Sequence, residues 1–186
     1  RSAAAQEGGQ GARRAPPRRR QPSLARILMP FAQDAERQAA VEAYATTQAA
    51  ELRRLGVTMN FGPVVDLKLD LKNRNDGETR LRQRAISSDP YLVAKAAKWY
   101  CDTLAKADVM CTLKHFPGLG RVTRDTHRTS AEIFATEGQL ELNDWTPFQR
   151  TMARPHVAVM LGHVRVAVLD KSAPASFSDV LIGDVI

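Results

Sequence analysis

Hydrophobic positions along this chain alternate between a helical and an extended rhythm. From Gln33 to Leu55 the pattern is helical and alanine-rich, with Ala39, Ala40, Ala43, Ala49 and Ala50 among polar neighbours. Gly56 stands where a C-terminal stop is expected. Val57 to Phe61 reads as a strand closed by Gly62-Pro63, and Val64-Val65-Asp66 extends it irregularly. A polar loop is expected from Leu67 to Ser88. Asp89-Pro90 then places a cap and a first-turn proline in helix-starting order. The helix that follows carries Leu92, Val93, Ala96, Ala97, Tyr100 and Leu104 on one stripe and ends near Ala107. A second strand spans Val109 to His115, and loop 116–137 follows it. A third helix is expected from Leu140 to Met152, with Trp145 and Phe148 at i, i+3 spacing, and a third strand from Val157 to Leu161. Ser178 or Asp179 is placed to cap a last helix. Residues 1–31, with Gly8-Gly9, Pro16-Pro17 and arginine clusters, read as irregular.

Apolar strands joined by helices imply an α/β protein with a parallel sheet. The loops after the strands are long and hold nearly every polar candidate, as in a barrel whose loops build the site. A closed eight-fold barrel needs ~250 residues, and this chain has 186. The expectation is therefore a segment of a TIM-type (β/α)8 barrel, incomplete at both ends. The chain is 44% hydrophobic and 25% charged, ordinary globular material. Its net charge of +7 is local: residues 1–20 hold six Arg and one Glu, and the remainder is close to neutral. That balance argues against a general nucleic-acid surface. No segment approaches the ~20 apolar residues of a membrane span. Cys101 and Cys111 fall in a helical and a strand pattern and are expected as buried free thiols, which a reducing compartment such as the cytoplasm allows.

The chemistry concentrates after the second strand. Lys114-His115-Phe116-Pro117-Gly118-Leu119-Gly120 joins a cation and an imidazole to a glycine turn, and Asp125-Thr126-His127 follows. A carboxylate two residues from an imidazole can orient the ring and stabilise its protonated form, a general acid/base arrangement. Such pairs are also common as plain loop residues. Adjacent residues on a strand face opposite ways, so one of Lys114 and His115 should face the pocket unless the strand bends. His115 could equally be a satisfied core histidine, and Lys114 a Schiff-base nucleophile. Metal binding by His115, His127 and His163 lacks a ligand spacing, and no cofactor is implied. The arginine clusters read as a solvated tail, from which Arg13 stands apart by following Gln6-Glu7-Gly8-Gly9. Arg84 is either a surface residue or, if inward, a fork suited to sugar hydroxyls or carboxylates.

Taken in order, the segments form a recognisable series: Gln6-Glu7-Gly8-Gly9, Asn60-Phe61-Gly62-Pro63-Val64-Val65-Asp66, Arg84-Ala85-Ile86-Ser87-Ser88-Asp89-Pro90, Lys114 to Gly120, Asp125-Thr126-His127, Met160-Leu161-Gly162-His163-Val164 and Pro174-Ala175-Ser176-Phe177-Ser178. The series resembles glycoside hydrolase family 3, in its bacterial N-acetyl-β-glucosaminidase branch, over nearly the whole chain. The resemblance implies a barrel domain over 1–186 that removes terminal β-linked N-acetylglucosamine with retention. The implied substrates are muropeptide-type sugars from peptidoglycan recycling. It implies His127 as acid/base with Asp125 as its partner, and Arg13, Arg84, Lys114 and His115 as sugar binders. Two positions depart from the family pattern: Ala5 stands where an aspartate usually grips the sugar, and Leu119 where a histidine is common. The family's nucleophilic aspartate is expected beyond Ile186, on the strand after the helix that begins near Ser178. A β-glucosidase-like exo-glycosidase and a non-catalytic sugar- or polyanion-binding remnant are the alternatives.

Overall fold

The computed structural model describes residues 21–71, 77, 79–127 and 129–185. Its centre is a parallel sheet of three strands in the order β1-β2-β4, with β1 at Met59–Asn60, β2 at Met110–Phe116 and β4 at Val157–Leu161. Met59 pairs with Met110, and Cys111 with Val157. The ladder between β2 and β4 slips between Lys114 and Phe116, so the strand is irregular where its polar residues begin. Val65 N–H donates to the Lys114 carbonyl at 2.9 Å, which carries the chain after β1 alongside the end of β2. The peptide bonds Gly62–Pro63, Lys114–His115 and Phe116–Pro117 are cis.

Helices fill the connections. α1 (Leu24–Leu28) forms inside the stretch expected to be irregular, because Leu24 and Leu28, four apart, are both buried on one side of a single turn. α2 (Asp34–Arg54) ends as expected, with Gly56 at φ +73°. α3 (Leu81–Arg84) interrupts the expected polar loop, with Leu81 buried beneath it. α4 (Pro90–Ala105) starts where Asp89 accepts hydrogen bonds from the N–H groups of Tyr91 and Leu92 at 2.9 and 3.3 Å. It buries Val93, Ala96, Ala97, Tyr100 and Leu104, most of the expected stripe.

The expected helix from Leu140 to Met152 is broken into pieces. α5 (Glu137–Gln139) opens it with a Thr136 capping box, a π-type turn spans Leu140–Asp144, and α6 (Thr146–Gln149) restarts at Pro147. Proline has no N–H to continue the preceding helix but fits a first turn. Trp145 and Phe148 are buried against β2: Phe116 lies 6.1 Å from the Trp145 ring and 5.2 Å, edge-on, from that of Phe148.

Two very short strands, β3 (Glu132–Ile133) and β5 (Arg165–Val166), pair in parallel outside the main sheet. They join the loop after β2 to the loop after β4. The cysteines are buried as expected but are not free: Cys101 of α4 and Cys111 of β2 form a disulfide with Cα atoms 5.4 Å apart. The stripe that packs α4 on the sheet brings Cys101 over the strand, a juxtaposition that their patterns alone do not reveal.

Candidate active site

The site lies at the carboxyl ends of β2 and β4, where parallel strands leave room for ligands. Asp125 and His127 form a pair in the loop after β2. His127 Nδ1 lies 3.0 Å from Asp125 Oδ1, and the His127 N–H donates to the same oxygen at 3.0 Å. The second carboxylate oxygen accepts from the Thr79 N–H at 3.1 Å. Asp125 is 6% exposed while the His127 side chain is 59% exposed. A fixed, buried acceptor therefore holds one ring nitrogen and leaves the other edge of the ring to solvent. An ionised carboxylate only accepts, so Nδ1 carries a proton and Nε2 is the nitrogen free to exchange one. The Thr79 carbonyl in turn accepts from Arg84 Nε at 2.8 Å. One buried residue thus connects the imidazole pair to the arginine.

His115 and Lys114 lie beside a second carboxylate, Asp66, and Arg84 is close enough to act on the Lys114 charge. Asp66 is 1% exposed and accepts through Oδ1 from the N–H groups of His115 (3.1 Å) and Leu119 (2.7 Å). Its Oδ2 lies 2.8 Å from His115 Nδ1. Lys114 is half-buried, and its amine is held below the usual lysine range by burial first and then by the neighbouring Arg84 charge, against the pull of Asp66. The glycine turn is held from beneath. Arg121 Nε donates to buried Asp144 at 2.8 Å, and burial pushes the Asp144 carboxyl up while Arg121 opposes that shift. A Cβ on Gly120 would lie 2.7 Å from the Leu67 carbonyl oxygen, and Gly118 sits at φ +110°. Neither position admits a side chain without movement.

The family model for the glycosyl hydrolase family 3 N terminal domain matches residues 3–186. The chain belongs to glycoside hydrolase family 3. Its fold is accordingly part of a TIM-type β/α barrel. A beta-hexosaminidase of Xylella fastidiosa (strain M23) is 40% identical over 121 residues, covering 65% of this chain and 34% of that protein. The chain thus matches about a third of this curated relative's length. NagZ from Neisseria gonorrhoeae in complex with N-trifluoroacetyl-D-glucosamine superposes with a TM-score of 0.75 at 30% identity, covering 87% of this chain and 45% of that one. The same protein in complex with zinc ion superposes with a TM-score of 0.79 at 28% identity over 97% of this chain and 51% of that one.

Within this family 3 segment, the structure brings together Asp125 with His127, and Lys114 with Arg84 and, through Asp66, His115. Arg13 and the Gln6-Glu7-Gly8-Gly9 stretch lie outside the described residues. His163 follows β4 but turns to Ser176, with Nδ1 2.7 Å from its Oγ and the ring edge-on to Phe177. Among the described residues, no group of three or more His, Cys, Asp or Glu side chains is placed to hold a metal ion. Leu119 is buried, so this position contributes its backbone N–H to Asp66 rather than a polar side chain to the pocket. Sequence reasoning passed over Asp66 and Thr79. Asp66 carried a signal, as a carboxylate closing an apolar strand run. Thr79, in a polar loop, carried none.

Proposed function

We propose that this protein hydrolyses terminal, non-reducing β-linked N-acetylglucosamine with retention, acting on muropeptide-type sugars derived from peptidoglycan. The observation that carries the reading is the Asp125–His127 pair: a buried, doubly engaged carboxylate holding an exposed imidazole. His127 Nε2 donates a proton to the departing glycosidic oxygen, and then removes one from the water that completes hydrolysis. Asp125 keeps Nδ1 protonated and stabilises the imidazolium that the first step needs. Arg84, Lys114 and His115 bind the sugar, with Arg13 as a further contact. Asp179 is not assigned as the nucleophile of the two-group retaining scheme, since it stands in the turn that starts the last helix. The names of the similar proteins support the substrate class: a beta-hexosaminidase, and a NagZ holding an N-acylated glucosamine analogue.

The test is turnover of an aryl N-acetylglucosaminide beside the matching aryl glucoside by a chain that includes the nucleophile-bearing strand, and by its variants. His127→Ala is expected to lower kcat by ~10²–10⁴-fold, with less effect on substrates whose leaving group is already acidic. Asp125→Asn is expected to slow the same step, and the double variant to be little worse than His127→Ala, since the two act as a unit. Preference for the glucoside, or strict additivity of the two losses, would overturn the assignment.

A further inference from the structure

We infer that Asp66 is a positioning residue for sugar recognition: it locks His115 as the Nδ1–H tautomer and thereby presents Nε2 to the ligand as a hydrogen-bond acceptor. The inference rests on the reading of His115 as a sugar contact and adds how that contact is set. Asp66 is the most buried carboxylate near the strand ends, with its side chain fully enclosed. An isolated buried charge costs several kcal/mol unless hydrogen bonds replace its water. Here two backbone N–H groups occupy Oδ1, at 3.1 and 2.7 Å, and the ring nitrogen of His115 occupies Oδ2 at 2.8 Å. Being acceptor-only, the ionised carboxylate requires a proton on Nδ1. The His115 side chain keeps 16% exposure, and its Nε2 has no hydrogen-bond partner among the described residues.

The chemistry of the pocket gives that nitrogen a purpose. Lys114 and Arg84 offer only donors. Sugar hydroxyls both donate and accept, so cations alone leave hydroxyl protons unpaired. With Nδ1–H committed to Asp66, the Nε2 lone pair of His115 supplies the missing acceptor. Asp66 also holds the glycine turn to the same carboxylate through Leu119 N–H, so the ring and the turn move as one piece. Both rings are held through Nδ1 by a buried carboxylate, and they differ in exposure: 16% for the His115 side chain and 59% for that of His127.

The tautomer is read directly by long-range ¹H–¹⁵N correlation of the histidine rings, without any sugar. In the wild-type chain His115 is expected as Nδ1–H. In Asp66→Asn the amide oxygen can keep both backbone N–H groups while the NH₂ faces Nδ1, so the ring is expected to invert to Nε2–H. N-acetylglucosamine affinity, measured by calorimetry, is expected to fall about tenfold in that variant, the size of one hydrogen bond to a charged or polarised group. A wild-type His115 found as Nε2–H, or protonated on both nitrogens under the binding conditions, would overturn the inference whether or not the variant folds. So would an inverted ring that binds the sugar with unchanged affinity. Failure of the wild type to bind N-acetylglucosamine while His115 is Nδ1–H would overturn the recognition role through the glycosidase reading itself, and the sugar-free spectrum distinguishes that case.

Discussion

Lys114 shows how a single residue reports on the whole site. Its amine is held below the ordinary lysine value of 10.5 by burial and by Arg84, with Asp66 pulling the other way. As pH rises, Lys114 therefore loses its proton before an exposed lysine does. If its ammonium donates to a sugar hydroxyl, N-acetylglucosamine affinity should weaken on the alkaline side at a pH below 10.5, and Lys114→Met should bind more weakly with that dependence gone. The linkage to stability has the opposite sign. Between the folded and unfolded values the unfolded chain holds more protons, so the wild-type fold gains stability as pH rises through that window. Lys114→Met should lack that gain, and urea midpoints across a pH series check it; parallel curves for the two proteins would remove the charge from the argument. At this scale the sequence was legible for Asp125, His127, Lys114 and His115, because each lies in a compact motif at the end of β2 or in the loop that follows it. Asp66 and Thr79 were not, since their partners lie 49 and 46 residues away and only the folded chain introduces them.

Elements were legible where they are long and patterned. α2, α4 and β4 fall within a residue or two of their expected spans, because burial of one face imposes a period that survives in the sequence. β3 and β5 are two residues each, too short for any period, yet they fasten the loop that carries Asp125 and His127 to the loop after β4. The break at Pro147 is legible in hindsight as local chemistry that a smooth apolar stripe obscured. The disulfide is the element-scale feature with the clearest consequence. It fixes α4 to β2, the strand that ends in Lys114 and His115, across a sequence separation of 10. Closing a loop of that length stabilises a fold by about 2–3 kcal/mol in the chain-entropy description. Reducing agent should therefore lower the urea midpoint of the wild-type chain, and leave a Cys101→Ala/Cys111→Ala variant unmoved. Identical midpoints with and without reductant in the wild type would mean the two thiols are not joined in solution.

At the scale of the whole molecule, the order β1-β2-β4 makes β2 the centre and leaves β1 and β4 each with one edge unpaired among the described residues. A barrel closes such edges with further strands, and the N. gonorrhoeae NagZ chain on which this one superposes is matched over only 45% of its length. The β1 side also exposes apolar groups in sequence: Leu55 at 58%, Met59 at 37% and Phe61 at 62%. Beside them lies a cavity of about 550 Å³ whose lining mixes Leu52 and Leu55 with Gln48, Glu51, Arg54 and Asn60. An open strand edge next to exposed apolar side chains is a template for pairing with another chain. The 186-residue chain should therefore self-associate as its concentration rises, through the β1 side, with Phe61 at the contact. Sedimentation velocity over a concentration series should show the shift, and Met59→Lys/Phe61→Lys should suppress it, since lysines on an edge oppose pairing with a like-charged copy. The Asp125–His127 pair lies in the loop after β2, so its local geometry and any binding of N-acetylglucosamine should persist in that variant. A chain that stays monomeric throughout, or one whose association ignores the two lysines, would place the sticky surface elsewhere, with the β4 edge the next to be charged.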